Sequence, residues 1–330
     1  MRKSCKHAAV ALVAMVALAI VATLAGCSAS TPSTPAKPVT PAAEKGPIRV
    51  GSKIDTEGKL LGAIILAKLA NAGFKVEDKT QTGATDVVRK ALLNGEIDIY
   101  PEYTGSGFWF FNKTLTAAQK ADFKDGEKGF ALVKQLDAEK NRVAWLDPAR
   151  ANNTWALAVK ADFAAENNLK TMSDLAAYMK SGKPLKVAAS DEFFNNADAW
   201  PAFKDVYGFD IPKAGRIILS GGDTAQTEKA VADGTNGVNV GMAYGTDGAL
   251  SELGLVVLSD DKGAQLVYWP TPIARTEIAE KYPEIATELA PVFDALTLER
   301  LQELNGRIQA NGESAQAVAE DFLKSGDFIK

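Results

Sequence analysis

Two rhythms of apolar and polar positions alternate along most of this 330-residue chain, and a third pattern occupies its start. Residues 1 to 26 carry Arg2, Lys3 and Lys6 followed by an almost wholly apolar run from Ala8 to Leu24, the layout of a secretory processing segment rather than of a fold. It ends in Leu24-Ala25-Gly26-Cys27, the pattern of a bacterial lipobox, so Cys27 is expected to become the lipidated first residue of the mature protein. Diacylglyceryl modification supplies the two chains that stable anchoring needs. From 27 to 47 the chain is rich in Ser, Thr, Pro and Ala, too poor in large apolar residues to bury a core, and reads as a tether.

From Ile48 strand and helix patterns take turns. Ile48 to Ser52 is strand-like, and Asp55 or Thr56 can cap a helix whose Leu60, Leu61, Ile64, Ile65 and Leu69 recur at helical spacing until Asn71 to Gly73. A strand near Phe74 to Asp78, a helix opened by Thr85 or Asp86, and a strand at Ile97 to Tyr100 closed by Pro101 follow. A helix over Ala117 to Asp137 and a strand at Val143 to Leu146 complete this half.

A second series places strands at Thr154 to Val159, Leu185 to Ala189, Ile217 to Ser220 and Val238 to Tyr244, with helices over Met172 to Met179, Ala199 to Tyr207 and Thr224 to Asp233 between them. A strand at Leu255 to Leu258 and helices over Pro283 to Leu296, Leu301 to Ala310 and Ala315 to Leu323 are assigned to a return into the first half. The alternation predicts an α/β protein with largely parallel sheets. It is divided into lobe 1 (48–150 and 249–330) and lobe 2 (151–248), whose two crossings permit closure about a cleft.

Charge and composition narrow the function. Thirty-seven basic and 41 acidic residues give a net charge of −4 without a basic patch, which argues against nucleic acid as a partner. Cys5 and His7 lie in the segment removed and Cys27 is consumed by lipid, so the mature chain has no histidine and no free thiol. Ser-His-Asp and Cys-His nucleophiles, His-bearing zinc sites and disulfides are excluded, and a non-enzyme is expected. A carboxylate-based hydrolase using Asp98 and Glu102 is the enzyme alternative.

The candidate chemistry lies at strand ends. Glu96 to Gly107 carries a strand into a Gly-rich turn that displays Tyr103 and Ser106, and Lys53 follows the first strand on the same expected rim. Tyr103, Trp155, Tyr244 and Tyr268 recur at strand ends and crossings, with Trp269 beside the last. Their π faces can enclose a cation that has no N–H to donate. Structural alternatives stay open: Trp155 as a core strand residue, Tyr268 and Trp269 as packing on a rigid extended loop at Pro270-Thr-Pro272, Lys53 as a solvated charge and Asn153 as a turn former. Gly221-Gly-Asp-Thr224 has the form of a helix N-terminus able to bind an anion.

Gly51-Ser-Lys-Ile-Asp-Thr-Glu-Gly58, Gly95-Glu-Ile-Asp-Ile-Tyr-Pro-Glu-Tyr-Thr-Gly105, Ala151-Asn-Asn-Thr-Trp155, Gly221-Gly-Asp-Thr224 and Ala243-Tyr-Gly-Thr-Asp247 together resemble the substrate-binding proteins of ABC importers for glycine betaine, choline, carnitine and related osmoprotectants, nearest the OsmF (YehZ) branch. The resemblance implies a type II periplasmic-binding-protein fold, a quaternary-amine ligand and delivery to an ABC permease with a separate ATPase subunit; no cofactor or metal is expected, and a monomer is the simplest oligomeric state. It implies cage roles for Tyr103, Tyr244, Tyr268 and Trp155, and places Lys53, Ser106 and Asn153 at positions that contact the ligand's carboxylate or line the pocket. Thr224 and Asn196 join that set. Many relatives carry an arginine in the segment where this chain has Asn195-Asn196, which predicts weaker carboxylate binding. A receptor or sensor for another small solute, such as an amino acid, is the alternative function.

Overall fold

The computed structural model describes residues 45–219, 224–250 and 252–330. The processing segment, the lipidation residue Cys27, most of the tether, and Gly221 to Asp223 lie outside the described residues. The last tether residues assigned from sequence instead begin the first strand, because Lys45 pairs with Phe74 and its ammonium reaches Glu284 at 3.0 Å.

Ten strands are present among the described residues: β1 (Lys45–Lys53), β2 (Phe74–Gly83), β3 (Ile99–Tyr103), β4 (Val143–Trp145), β5 (Trp155–Lys160), β6 (Val187–Ala189), β7 (Arg216–Ile218), β8 (Val240–Tyr244), β9 (Leu255–Val257) and β10 (Pro270–Arg275). They form two five-stranded sheets, ordered β2-β1-β3-β10-β4 and β7-β6-β8-β5-β9. In each, three strands run parallel and the fourth position is taken by an antiparallel strand, β10 or β5. The helix Thr56–Asn71 covers the first sheet with Leu60, Leu61, Ile64, Ile65 and Leu69, all fully buried as their spacing predicts. Each contributes about 1.5 to 3 kcal/mol of burial. Asp55 caps that helix by accepting from the Gly58 N–H at 2.8 Å.

Four expectations are corrected. Pro101 does not end its strand: β3 continues to Tyr103, with Pro101 opposite Pro272 in β10. Backbone bonds at Thr104 with Trp269 and at Asp98 with Arg275 set the register, so the two prolines face each other in a pair where neither strand needs an N–H from the other. The same register explains why Pro270-Thr-Pro272, expected as a loop, is the start of a strand. The span Ala117 to Asp137 is two helices, Ala117–Asp122 and Gly126–Asn141, separately capped by Thr116 and Asp125. The strand near Leu255, expected in the first half, pairs with β5 and closes the second sheet. That sheet therefore extends past Gly248, and the chain returns to the first sheet through β10.

Segments of the two connections between the sheets run side by side. The Asn153 N–H donates to the Tyr268 carbonyl at 2.9 Å, the Tyr268 N–H to Asn152 Oδ1 at 2.8 Å, and Thr154 Oγ1 to the Leu266 carbonyl at 3.0 Å. The helix Leu298–Gln309 packs on the turn after β8 at Gly248, where an added Cβ would fall 1.8 Å from the Gln302 carbonyl oxygen. Only glycine permits that approach, and it brings Asn305 toward the end of the first sheet.

Candidate functional site

The last residue of β3 is Tyr103, the last of β8 is Tyr244, and the first of β5 is Trp155, directly opposite Tyr244. These strand ends, with the inter-sheet segment at Tyr268, line one cleft of about 610 Å3 of atom-free space, part of it open to solvent. Lys53, Tyr103, Ser106, Asn153, Trp155, Asn196, Tyr244 and Tyr268 all lie on its walls.

Three rings are adjacent. Trp155 is 4.8 Å from Tyr244, tilted by 43°, and 6.4 Å from Tyr268, nearly perpendicular at 83°, while Phe193 backs it at 5.5 Å. Its indole N–H donates to the Tyr268 hydroxyl at 3.2 Å, and that hydroxyl donates to the Asp198 carboxylate. Gly105 makes room for Tyr268: a Cβ there would stand 2.5 Å from Cε1 of the ring. Trp269, the alternative to Tyr268, points elsewhere, packed on Gly126 and under the Arg150 guanidinium at 5.6 Å.

The polar wall is already committed to the protein itself. Lys53 Nζ is 2.7 Å from Glu102 Oε1 and 4.9 Å above the Tyr103 ring. Ser106 Oγ also donates to Glu102 at 2.8 Å, as does Tyr100 Oη. Tyr103 Oη donates to Glu57 Oε1 at 3.0 Å, Asn153 Nδ2 to the same oxygen at 2.9 Å, and Asn305 Nδ2 to Oε2 at 2.7 Å. Burial pulls the Lys53 pKa down, but the charges of Glu102, Glu192 and Asp55 outweigh it and leave it raised. Burial pushes the Glu57 carboxyl up to about 7 against the hydrogen bonds it accepts, and pushes Asp198 to about 7 as well. The hydroxyl of Tyr103 is held well above its ordinary value, first by burial and then by the charge of Glu57.

Thr224 is not brought to the cleft. It is buried beside β8, its hydroxyl donating to Asp247 at 2.9 Å. Asp98 and Glu102 do not form a pair across a groove, since they stand at opposite ends of β3, about 13 Å apart by strand rise. Asp98 is held by Arg49 and Arg275, at 2.7 and 2.9 Å. Sequence reasoning missed Glu192, Asp55, Thr85 and Trp109 on the cleft walls. For Asp55 and Glu192 there was a signal: each lies at the helix entry after the first parallel strand of its half, where open α/β sheets place ligands.

Two sheets with matched strand orders, joined by two connections and sharing a ring-lined cleft at their strand ends, define a solute-binding protein of the type II periplasmic class. The sequence profile of one family, described as the substrate binding domain of ABC-type glycine betaine transport system, matches residues 46–325. The chain is 48% identical over 284 residues to the glycine betaine-binding protein YehZ of Escherichia coli (strain K12), covering 86% of this chain and 92% of that protein. It is 32% identical to a glycine-betaine-binding protein of Pseudomonas aeruginosa, covering 86% and 88%. The solved structure of apo YehZ superimposes with a TM-score of 0.64, covering 86% of this chain and 99% of that one. The chain belongs to the family of substrate-binding domains of ABC-type glycine betaine transport systems. Such components work on the extracytoplasmic side of an importer.

Proposed function

We propose that this protein captures a quaternary ammonium osmoprotectant, such as glycine betaine or choline, in an aromatic cage and delivers it to an ABC permease whose ATPase is a separate subunit. The observation that carries the reading is Trp155 set against Tyr244 and Tyr268 on one wall of the cleft, with Tyr103 on the other. A methylated nitrogen keeps its charge at every pH and donates no hydrogen bond, so ring faces suit it where carboxylates alone do not. Each face contributes about 0.5 to 2 kcal/mol, so three or four supply about 1.5 to 8 kcal/mol against the cost of association, and burial of the ligand's methyl groups adds to them. The names of the relatives support the same ligand class.

In this reading the sheets belong to two lobes that close over the ligand, the second extending through β9 so that the return crossing runs from Leu258 to Trp269. Lipid on Cys27 and the Ser/Pro-rich tether hold a monomer outside the membrane. Calorimetric titration with glycine betaine, choline, carnitine, proline betaine and a panel of amino acids tests the reading. Saturable heats from a quaternary amine are expected. Heats from an amino acid alone, with no quaternary amine bound at millimolar concentration, would replace the cage with the amino-acid alternative.

A further inference from the structure

The cleft walls carry more acid than base. Lys53 is the one basic residue on them among the described residues, and its ammonium is paired with buried Glu102. Three donors suited to a ligand carboxylate are turned inward: Ser106 to Glu102, and Tyr103 and Asn153 to Glu57. Glu192 is different. It lines the cleft, its neighbour Phe193 backs Trp155, and its Oε1 accepts from the Thr85 hydroxyl of the opposite sheet's helix at 3.0 Å. Its Oε2 has no hydrogen-bond partner among the described residues.

Resting on the cage reading above, we propose that Glu192 is the specificity residue of this cleft, selecting hydroxyl-bearing quaternary monocations over zwitterions that end in a carboxylate. A hydroxyl can donate to the unpartnered carboxylate oxygen. A ligand carboxylate would face Glu192 and Asp55 across a cavity of low dielectric, with Ser106, Tyr103 and Asn153 already engaged and Lys53 held by Glu102. Glu192 also stands at the N-terminus of the helix Thr85–Leu93, whose Ncap Ala84 offers no side-chain cap, so the protein's own carboxylate holds the place an anion would take.

Choline and glycine betaine differ only in ending in a hydroxymethyl or a carboxylate, so the ratio of their dissociation constants reads this selection. Calorimetry on the intact mature protein at about pH 8 is expected to give choline at least about tenfold tighter than glycine betaine. Glu192→Gln should shrink that ratio by about tenfold, whereas Thr85→Val, which removes the cross-cleft bond but keeps the charge, should weaken both ligands alike and leave the ratio standing. Glycine betaine binding as tightly as choline to the unaltered protein would overturn the selection while leaving the cage intact. A ratio unmoved in Glu192→Gln would overturn the role of Glu192. If neither amine bound, the cage reading itself would fall and this proposal with it.

Discussion

The two sheets share one plan, and the same position does different work in each. In both, the first parallel strand feeds a helix through a capping residue, Asp55 after β1 and Ser190 after β6, and the second helical residue is a glutamate, Glu57 or Glu192. In both, the central strand ends in a tyrosine, Tyr103 or Tyr244. Glu57 is buried beneath its tyrosine and accepts from Tyr103, Asn153 and Asn305, which joins strand end, inter-sheet segment and C-terminal helix. Glu192 accepts from Thr85 and keeps an oxygen toward the cleft. A carboxylate saturated by internal donors is structural. Its counterpart accepts a single internal bond, and the proposed selection uses what is left.

The comparison can be broken hardest at the second sheet's rings. Trp155→Ala removes the centre of the three-ring group and should cost about 2 to 4 kcal/mol of binding, roughly 30- to 700-fold, with Trp155→Phe retaining most of the affinity in the same titration. Gly105→Ala, on the first sheet's side, forces the Tyr268 ring away and should weaken binding by about tenfold or more, with thermal unfolding changed by about 1 to 3 kcal/mol.

Acidity sharpens the contrast next. Glu57 and Asp198 have folded-state values of about 7 against ordinary values of 4.5 and 3.8. Because folding raises both, each contributes stability that is fully present below its ordinary value and is lost as the pH climbs through about 7. Chemical unfolding of the ligand-free protein should therefore show stability falling between about pH 4 and pH 7, with a shallower slope in Glu57→Gln. Ligand affinity should move the opposite way. A permanent cation favours the ionised carboxylates behind Tyr103 and Tyr268, so its binding should strengthen by up to about tenfold from about pH 6 to pH 8, with proton release seen as buffer-dependent heats. The smallest effect expected is in Asn196→Arg, which adds a fixed charge and a bidentate fork at the cleft and should shift the preference toward glycine betaine by a few-fold, about 1 kcal/mol.

Much of this was legible before any coordinates. Helix Thr56–Asn71 declared itself through its cap and five apolar positions, and Thr224–Asp233 through its periodicity, since both depend on local spacing. Strand β10 did not, because Pro270 and Pro272 argue against a strand until a partner is known to set Pro101 opposite. The rings that line the cleft were legible as aromatics at strand ends and crossings. The inward commitment of Lys53, Ser106 and Asn153 was not, because Glu102 and Glu57 meet them only through long-range packing. Glu192 went unnoticed beside the expected arginine, and it meets Thr85 across 107 residues of sequence.

In the proposed reading, the rings of the second sheet and of the inter-sheet segment at Tyr268 wrap a methylated nitrogen. A crystal structure of the protein with bound choline tests this most directly: the quaternary nitrogen should lie within about 6 Å of the ring centroids of Trp155, Tyr244 and Tyr268, the distance over which such faces attract a cation. Choline seated outside the cleft, or a cleft in which those rings close on each other with the ligand excluded, would contradict it.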